Sequence, residues 1–192
     1  MSGAGFHVHG PHDHELEHAA QHGDRDSFTG GIAVMTAILA TIGALFSYMG
    51  GATQANAGLY KNESAIKKTE ASNQWNYYQA KSSKQNLAEL AIELTPEPRR
   101  AFYVDEVKRY KKEIAEIKVV ADQLEAEAKD WDTRSDAQMH LHHRWAQATT
   151  ALQISIALAA IALLTRRRWL KWGVFGVGAI GVALGGAALL HV

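Results

Sequence analysis

The sequence predicts an all-α membrane protein: three transmembrane helices, with a long antiparallel helical (coiled-coil) hairpin between the first and second. Three observations carry that expectation. Apolar residues make up 47% of 192 residues, yet the mean hydropathy is −0.19, so the apolar content is gathered into runs rather than spread. Three such runs, 28–50, 149–165 and 173–190, hold no Asp, Glu, Lys, Arg or His. The polar residues between the first two runs follow a helical period, not a strand period.

Taken in order, residues 1–27 carry five acids, one arginine and six of the ten histidines. They have no apolar run to offset the entropy of ordering, so a mobile His-rich tail is expected. Residues 28–50, "FTGGIAVMTAILATIGALFSYMG", form the first span. At about 1.5 Å per residue they cover roughly 34 Å, enough for the ~30 Å hydrocarbon core. A cleaved signal peptide ending at "ANA" (55–57) is the rival reading. The run is too long for it, and its flank is acidic rather than basic. Residues 148–165 form the second span and residues 173–191 the third, whose glycines suit a membrane helix better than a soluble one.

Residues 51–147 form the hairpin, with its tip at "TPEPRR" (95–100), where proline stops helices. Ahead of the tip, Ile66, Glu70, Asn73, Tyr77, Ala80, Lys84, Leu87, Ala91 and Leu94 step by three or four residues. After it Tyr103, Val107, Tyr110, Ile114, Ile117, Ala121, Leu124, Ala128 and Trp131 do the same. Folding the legs together pairs Tyr77 with Ile117, Ala80 with Ile114, Leu87 with Val107 and Glu70 with Leu124. The legs are of equal length, so both return to the bilayer together.

Orientation follows from the loop 166–172, where Arg166, Arg167, Arg168 and Lys171 are packed beside the membrane. Dense Lys and Arg in a short loop favour the cytoplasmic side, with Trp169 and Trp172 as interface anchors. The tail then lies in the cytoplasm and the hairpin in the periplasm. Lys61, Lys67, Lys68, Arg134 and Arg144 at the hairpin's foot weigh the other way.

Chemistry-bearing residues are few. Lys plus Arg equals Asp plus Glu at 20 each, and there is no cysteine. Bulk charge therefore gives no footing for nucleic acid, and disulfides and thiolate sites are excluded. On a helix starting near Asp13, His14, His18 and His22 would share one face and could hold a divalent metal weakly, with Asp13 or Glu17 beside it. The plainer reading is a solvated tail that takes up metal incidentally. His140, His142 and His143 precede the second span with Trp145 and read either as a pH-titrating group or as a polar foot. No hydrolase elbow, phosphate loop, kinase signature or HExxH motif occurs. No enzyme activity and no cofactor is expected. Gly181 and Gly185 form a GxxxG step for helix packing, within or between protomers. In "SNQWNYYQAKSSKQN" (72–86), Tyr77 falls in the expected seam. Trp75 and Tyr78 share a neighbouring face, either as a contact surface or lapping over the second leg near Val119 and Val120.

The stretches "HELEHAA" (14–20) and "TQANAGLYKNESAIKKTEASNQWNYYQAKSSKQN" (53–86), with the C-terminal apolar pair, resemble an uncharacterised family of bacterial inner-membrane proteins, a domain of unknown function. The resemblance implies a bacterial membrane protein with a helical middle and brings no activity, ligand or catalytic residue. The histidines before "HELEHAA" depart from the family's pattern. The expectation is a non-enzymatic membrane scaffold that self-associates through its spans and hairpin. Its partners are the lipid bilayer and further copies of itself. A small oligomeric channel, or a metal-responsive protein using the tail, is the other reading.

Overall fold

The computed structural model describes residues 27–190, and these form three helices with no strand among them. Helix α1 is Ser27–Leu94 (68 residues), α2 is Arg99–Thr165 (67 residues) and α3 is Arg168–Leu189 (22 residues). Each contains a stretch long and apolar enough, by length and composition, to cross a membrane.

The first break falls where the backbone chemistry demands it. Helix α1 stops ahead of Pro96, which lacks an N–H and disfavours α geometry at Thr95. Helix α2 starts directly after Pro98, whose peptide bond to Glu97 is cis. The second break is tighter. Arg166 takes a left-handed conformation with φ 51°, which costs a non-glycine residue roughly 1–2 kcal/mol. Gly50 and Gly51 do not break α1, since glycine costs only about 1 kcal/mol in a helix interior. The expected span and hairpin leg are thus one helix, on both sides of the tip.

Two compact units divide the described chain. One combines residues 27–47 with residues 145–190. Its core is Ile32, Leu39, Leu152, Ala159, Ala162 and Val174, flanked by partly buried Met35, Ile42, Phe46 and Ile156. Helix α3 turns Val174, Gly178, Gly181, Gly185 and Ala188 inward at three- and four-residue steps. The Ser155 hydroxyl donates to the Val174 carbonyl at 2.7 Å, so a buried polar group is satisfied where α2 meets α3. Glycine is required for this approach. A Cβ at Gly181 would lie 2.7 Å from Leu152 Cδ2, and one at Gly185 would enter the Phe46 ring.

The other unit is Tyr48–Arg144. Within it α1 and α2 meet in reverse order along the chain. Ala57 faces Ser135, Ser64 faces Ala128, and Lys81 faces Glu113.

Candidate functional site

The polar unit is held by an inner seam of small residues. On α1, Ala57, Ser64 and Ala71 recur every seven residues, and all three are buried. On α2, Ala121, Ala128 and Ser135 do the same. Such side chains let the backbones approach closely enough for hydroxyls to reach across. Ser64 Oγ donates to the Ala128 carbonyl at 2.9 Å, and Ser135 Oγ donates to the Ala57 carbonyl at 2.8 Å. His142 Nδ1 lies 2.8 Å from the Gly50 carbonyl. A carbonyl only accepts, so Nδ1 carries the proton there.

Ion pairs flank the seam. Lys61 lies 2.6 Å from Asp132, Lys67 lies 3.3 Å from Glu127, and Lys81 contacts Glu113. The hydrogen bond from Lys81 holds the Glu113 carboxyl below its usual range, and that from Lys61 does the same for Asp132. The bonds to these carboxylates raise Lys61 and Lys81, and those to Glu70 and Glu127 raise Lys67. These carboxylates are spent as partners of lysines along the helices; they do not converge on one point.

The second leg's seam residues, Val107, Ile114, Ile117 and Leu124, are buried or half-buried along α2. The first leg differs from expectation. Tyr77 is 50% exposed, Leu87 is 66% exposed, and Ala80 is exposed too. The inward row lies one residue further on, at Tyr78, Lys81 and Ala88. One residue is about 100° of helix, so the large apolar side chains used to draw the seam point outward. Ala57, Ser64, Ala71 and Ser135 are omitted from the expected seam because the larger Ile66, Tyr77, Leu87 and Leu94 set the register of the first leg. Their strict seven-residue spacing was the signal available.

Trp75 is half-buried, its Nε1–H donates to Glu125 Oε1 at 2.7 Å, and its ring meets Tyr78 edge-on at 5.4 Å. That bond turns Trp75 toward α2 of its own chain, whereas Val119 and Val120 remain exposed. Near the tip, an open groove of about 450 Å³ lies between Leu87 and Ala91 of α1 and Phe102, Tyr103 and Tyr110 of α2.

In the apolar unit, Gly181 and Gly185 are buried against Leu152 and Phe46 of the same chain, which leaves neither free for a neighbouring one. Trp145 is buried rather than at an interface, its ring 5.3 Å from Phe46. Trp169 and Trp172 are exposed beside Arg166, Arg167 and Arg168, and Lys171 Nζ lies over the Phe175 ring at 5.8 Å. His14, His18 and His22 lie outside the described residues. Among the described residues, no group of three or more His, Cys, Asp or Glu is placed to hold a metal ion.

The model of one protein family, described as a domain of unknown function (DUF4337), matches residues 28–191. The chain belongs to that family. No curated protein and no solved structure matches it. The DUF4337 match takes in all three helices, the small-residue seam and the glycine face of α3. It leaves the histidines of residues 1–27 outside.

Proposed function

We propose that this DUF4337 protein is a non-enzymatic scaffold of the bacterial inner membrane that self-associates. Three spans anchor an antiparallel coiled-coil hairpin, with the N-terminus and basic loop cytoplasmic and the hairpin periplasmic. The observation that carries the reading is the contrast between the two units. The unit of residues 27–47 and 145–190 turns large apolar side chains outward, Leu45 at 60% exposure and Leu164 at 86%. Its apolar runs hold no Asp, Glu, Lys, Arg or His to solvate them in water. Hydrocarbon is the solvent that suits such a surface. The polar unit instead pairs Lys61, Lys67 and Lys81 with carboxylates across its small-residue seam, an arrangement for rigidity and reach rather than for catalysis.

The orientation is supported by Arg166, Arg167, Arg168 and Lys171 set beside exposed Trp169 and Trp172. Two measurements test the proposal. Protein extracted with its own lipid should have a native mass of two or more 21.0 kDa chains; a single copy refutes self-association. In intact cells a membrane-impermeant maleimide should label a Glu97→Cys variant but not Lys171→Cys, and the reverse pattern overturns the topology.

A further inference from the structure

Helix α1 carries a second seven-residue row, on the side turned away from α2 except near the tip, where Leu87 also lines the groove beside Phe102 and Tyr103. Leu59, Ile66, Asn73, Ala80, Leu87 and Leu94 follow one another at strict heptad spacing, and all six are exposed. Beside them runs a companion row at the three-residue step: Asn62, Thr69, Asn76, Ser83 and Leu90, also all exposed. Neither row contains a charge, on a leg otherwise studded with lysine and glutamate. An isolated straight helix would let a heptad row drift by about 20° per repeat. The inner seam of α1 keeps the same seven-residue period, so the outer rows stay on one side of the polar unit along their length.

We infer that this outer face is the site where the hairpin packs against a second copy of the same chain, parallel and in register. The inference rests on the scaffold reading and names its contact surface. Two chains anchored in one bilayer by the same spans can meet only with their hairpins parallel. In that register each position faces itself: leucine meets leucine, and Asn73 meets Asn73, the one polar residue of the leading row. An asparagine buried at such a position pairs with its twin across the seam and fixes register and copy number, at a cost in stability to which Asn62 and Asn76 of the companion row add.

Charge fits as well. The flank beyond the companion row holds Gly58, Ala65, Ser72, Gln79 and Asn86, with Glu93 only at its tip end past Lys84, so the opposite flank's Glu63, Glu70 and Lys84 meet no like charge across a parallel pair. The contact is large enough. From Leu59 to Leu94 the face runs about 50 Å, and a strip ~10 Å wide buries roughly 500 Å² of each partner, or ~1,000 Å² in total. That is the lower bound of specific interfaces, and co-anchoring in a membrane raises the effective concentration above what such a contact needs.

The chain has no cysteine, which makes the test direct. Asn73→Cys and Ala80→Cys variants, each in the full chain and oxidised in native membranes, should give a covalent species of two chains. Lys68→Cys on the other side of α1 and Lys118→Cys on α2 should give less than about a tenth as much. Adding Ala80→Lys to the Asn73→Cys variant should cut its cross-link about tenfold or more, through like charges placed face to face. Equal cross-linking at all positions, absence of it at 73 and 80, or an adduct to a different protein each overturns the inference. Native mass separates the two levels. Several copies with no cross-link at 73 and 80 sinks this face alone, whereas a single copy sinks the scaffold reading with it.

Discussion

Replacing Ala121 by leucine is the sharpest probe of how α1 and α2 are held together. Ala121 is 0% exposed and shares its layer of the seam with Ala71, so three added carbons have no free volume to enter. Overpacking of this kind costs about 1–3 kcal/mol. Spreading the helices to make room would also stretch the next layer, where Ser64 Oγ reaches the Ala128 carbonyl at 2.9 Å. Losing that bond adds ~0.5–1.5 kcal/mol. The two together come to roughly 2–4 kcal/mol, which accelerates amide exchange through local opening by about 30- to 1,000-fold. Hydrogen exchange read by mass spectrometry on the full chain in lipid should show this in peptides covering residues 60–75 and 115–130. Ala115→Leu, the same chemistry at an exposed position of α2, should leave both regions at wild-type rates. If Ala121→Leu exchanges like wild type, or Ala115→Leu is equally disturbed, the small-residue seam is not what sets the helix spacing.

Acid should loosen the same unit. Glu113 and Asp132 have folded-state pKa values below the ordinary carboxylate range, so their contribution is complete above about pH 4 and is lost as pH falls through the lowered values. Thermal unfolding followed by circular dichroism should show a decline below that pH, shallower in Glu113→Gln. Lys61, Lys67 and Lys81 are raised, so their share is complete below about pH 10.4 and lost only as pH rises through values above it. In the apolar unit, Gly181→Val should destabilise the detergent-solubilised protein by ~1–3 kcal/mol, seen as a lower unfolding temperature. Gly186→Ala should not, because nothing lies within 4 Å of a Cβ there. Removing residues 1–22 should abolish any Ni²⁺ or Zn²⁺ uptake by the purified protein and leave its native mass per chain assembly unchanged; metal-dependent assembly would favour the metal-responsive reading instead.

Much of this architecture was legible from residue order alone. Runs free of charge, prolines at 96 and 98, and the arginine cluster at 166–168 are local properties, and hydropathy and backbone chemistry act on them wherever the chain goes. The helix end at Leu94 follows from the prolines directly, whereas the end at Thr165 comes with a left-handed Arg166 that arginine does not favour. What a sequence cannot rank is two seven-residue rows on one helix. Leu59, Ile66, Leu87 and Leu94 advertise themselves by hydropathy, while Ala57, Ser64 and Ala71 do not. The choice between them depends on how closely a second backbone can approach, and that distance exists only once α2 lies alongside. The same holds for Gly181 and Gly185. Their spacing marked a packing face, but only Leu152 and Phe46, from distant parts of the chain, decide that the face is filled from within. Composition and periodicity determined the helices and their apolar stretches; tertiary packing decided which face each helix turns to its own chain and which stays exposed.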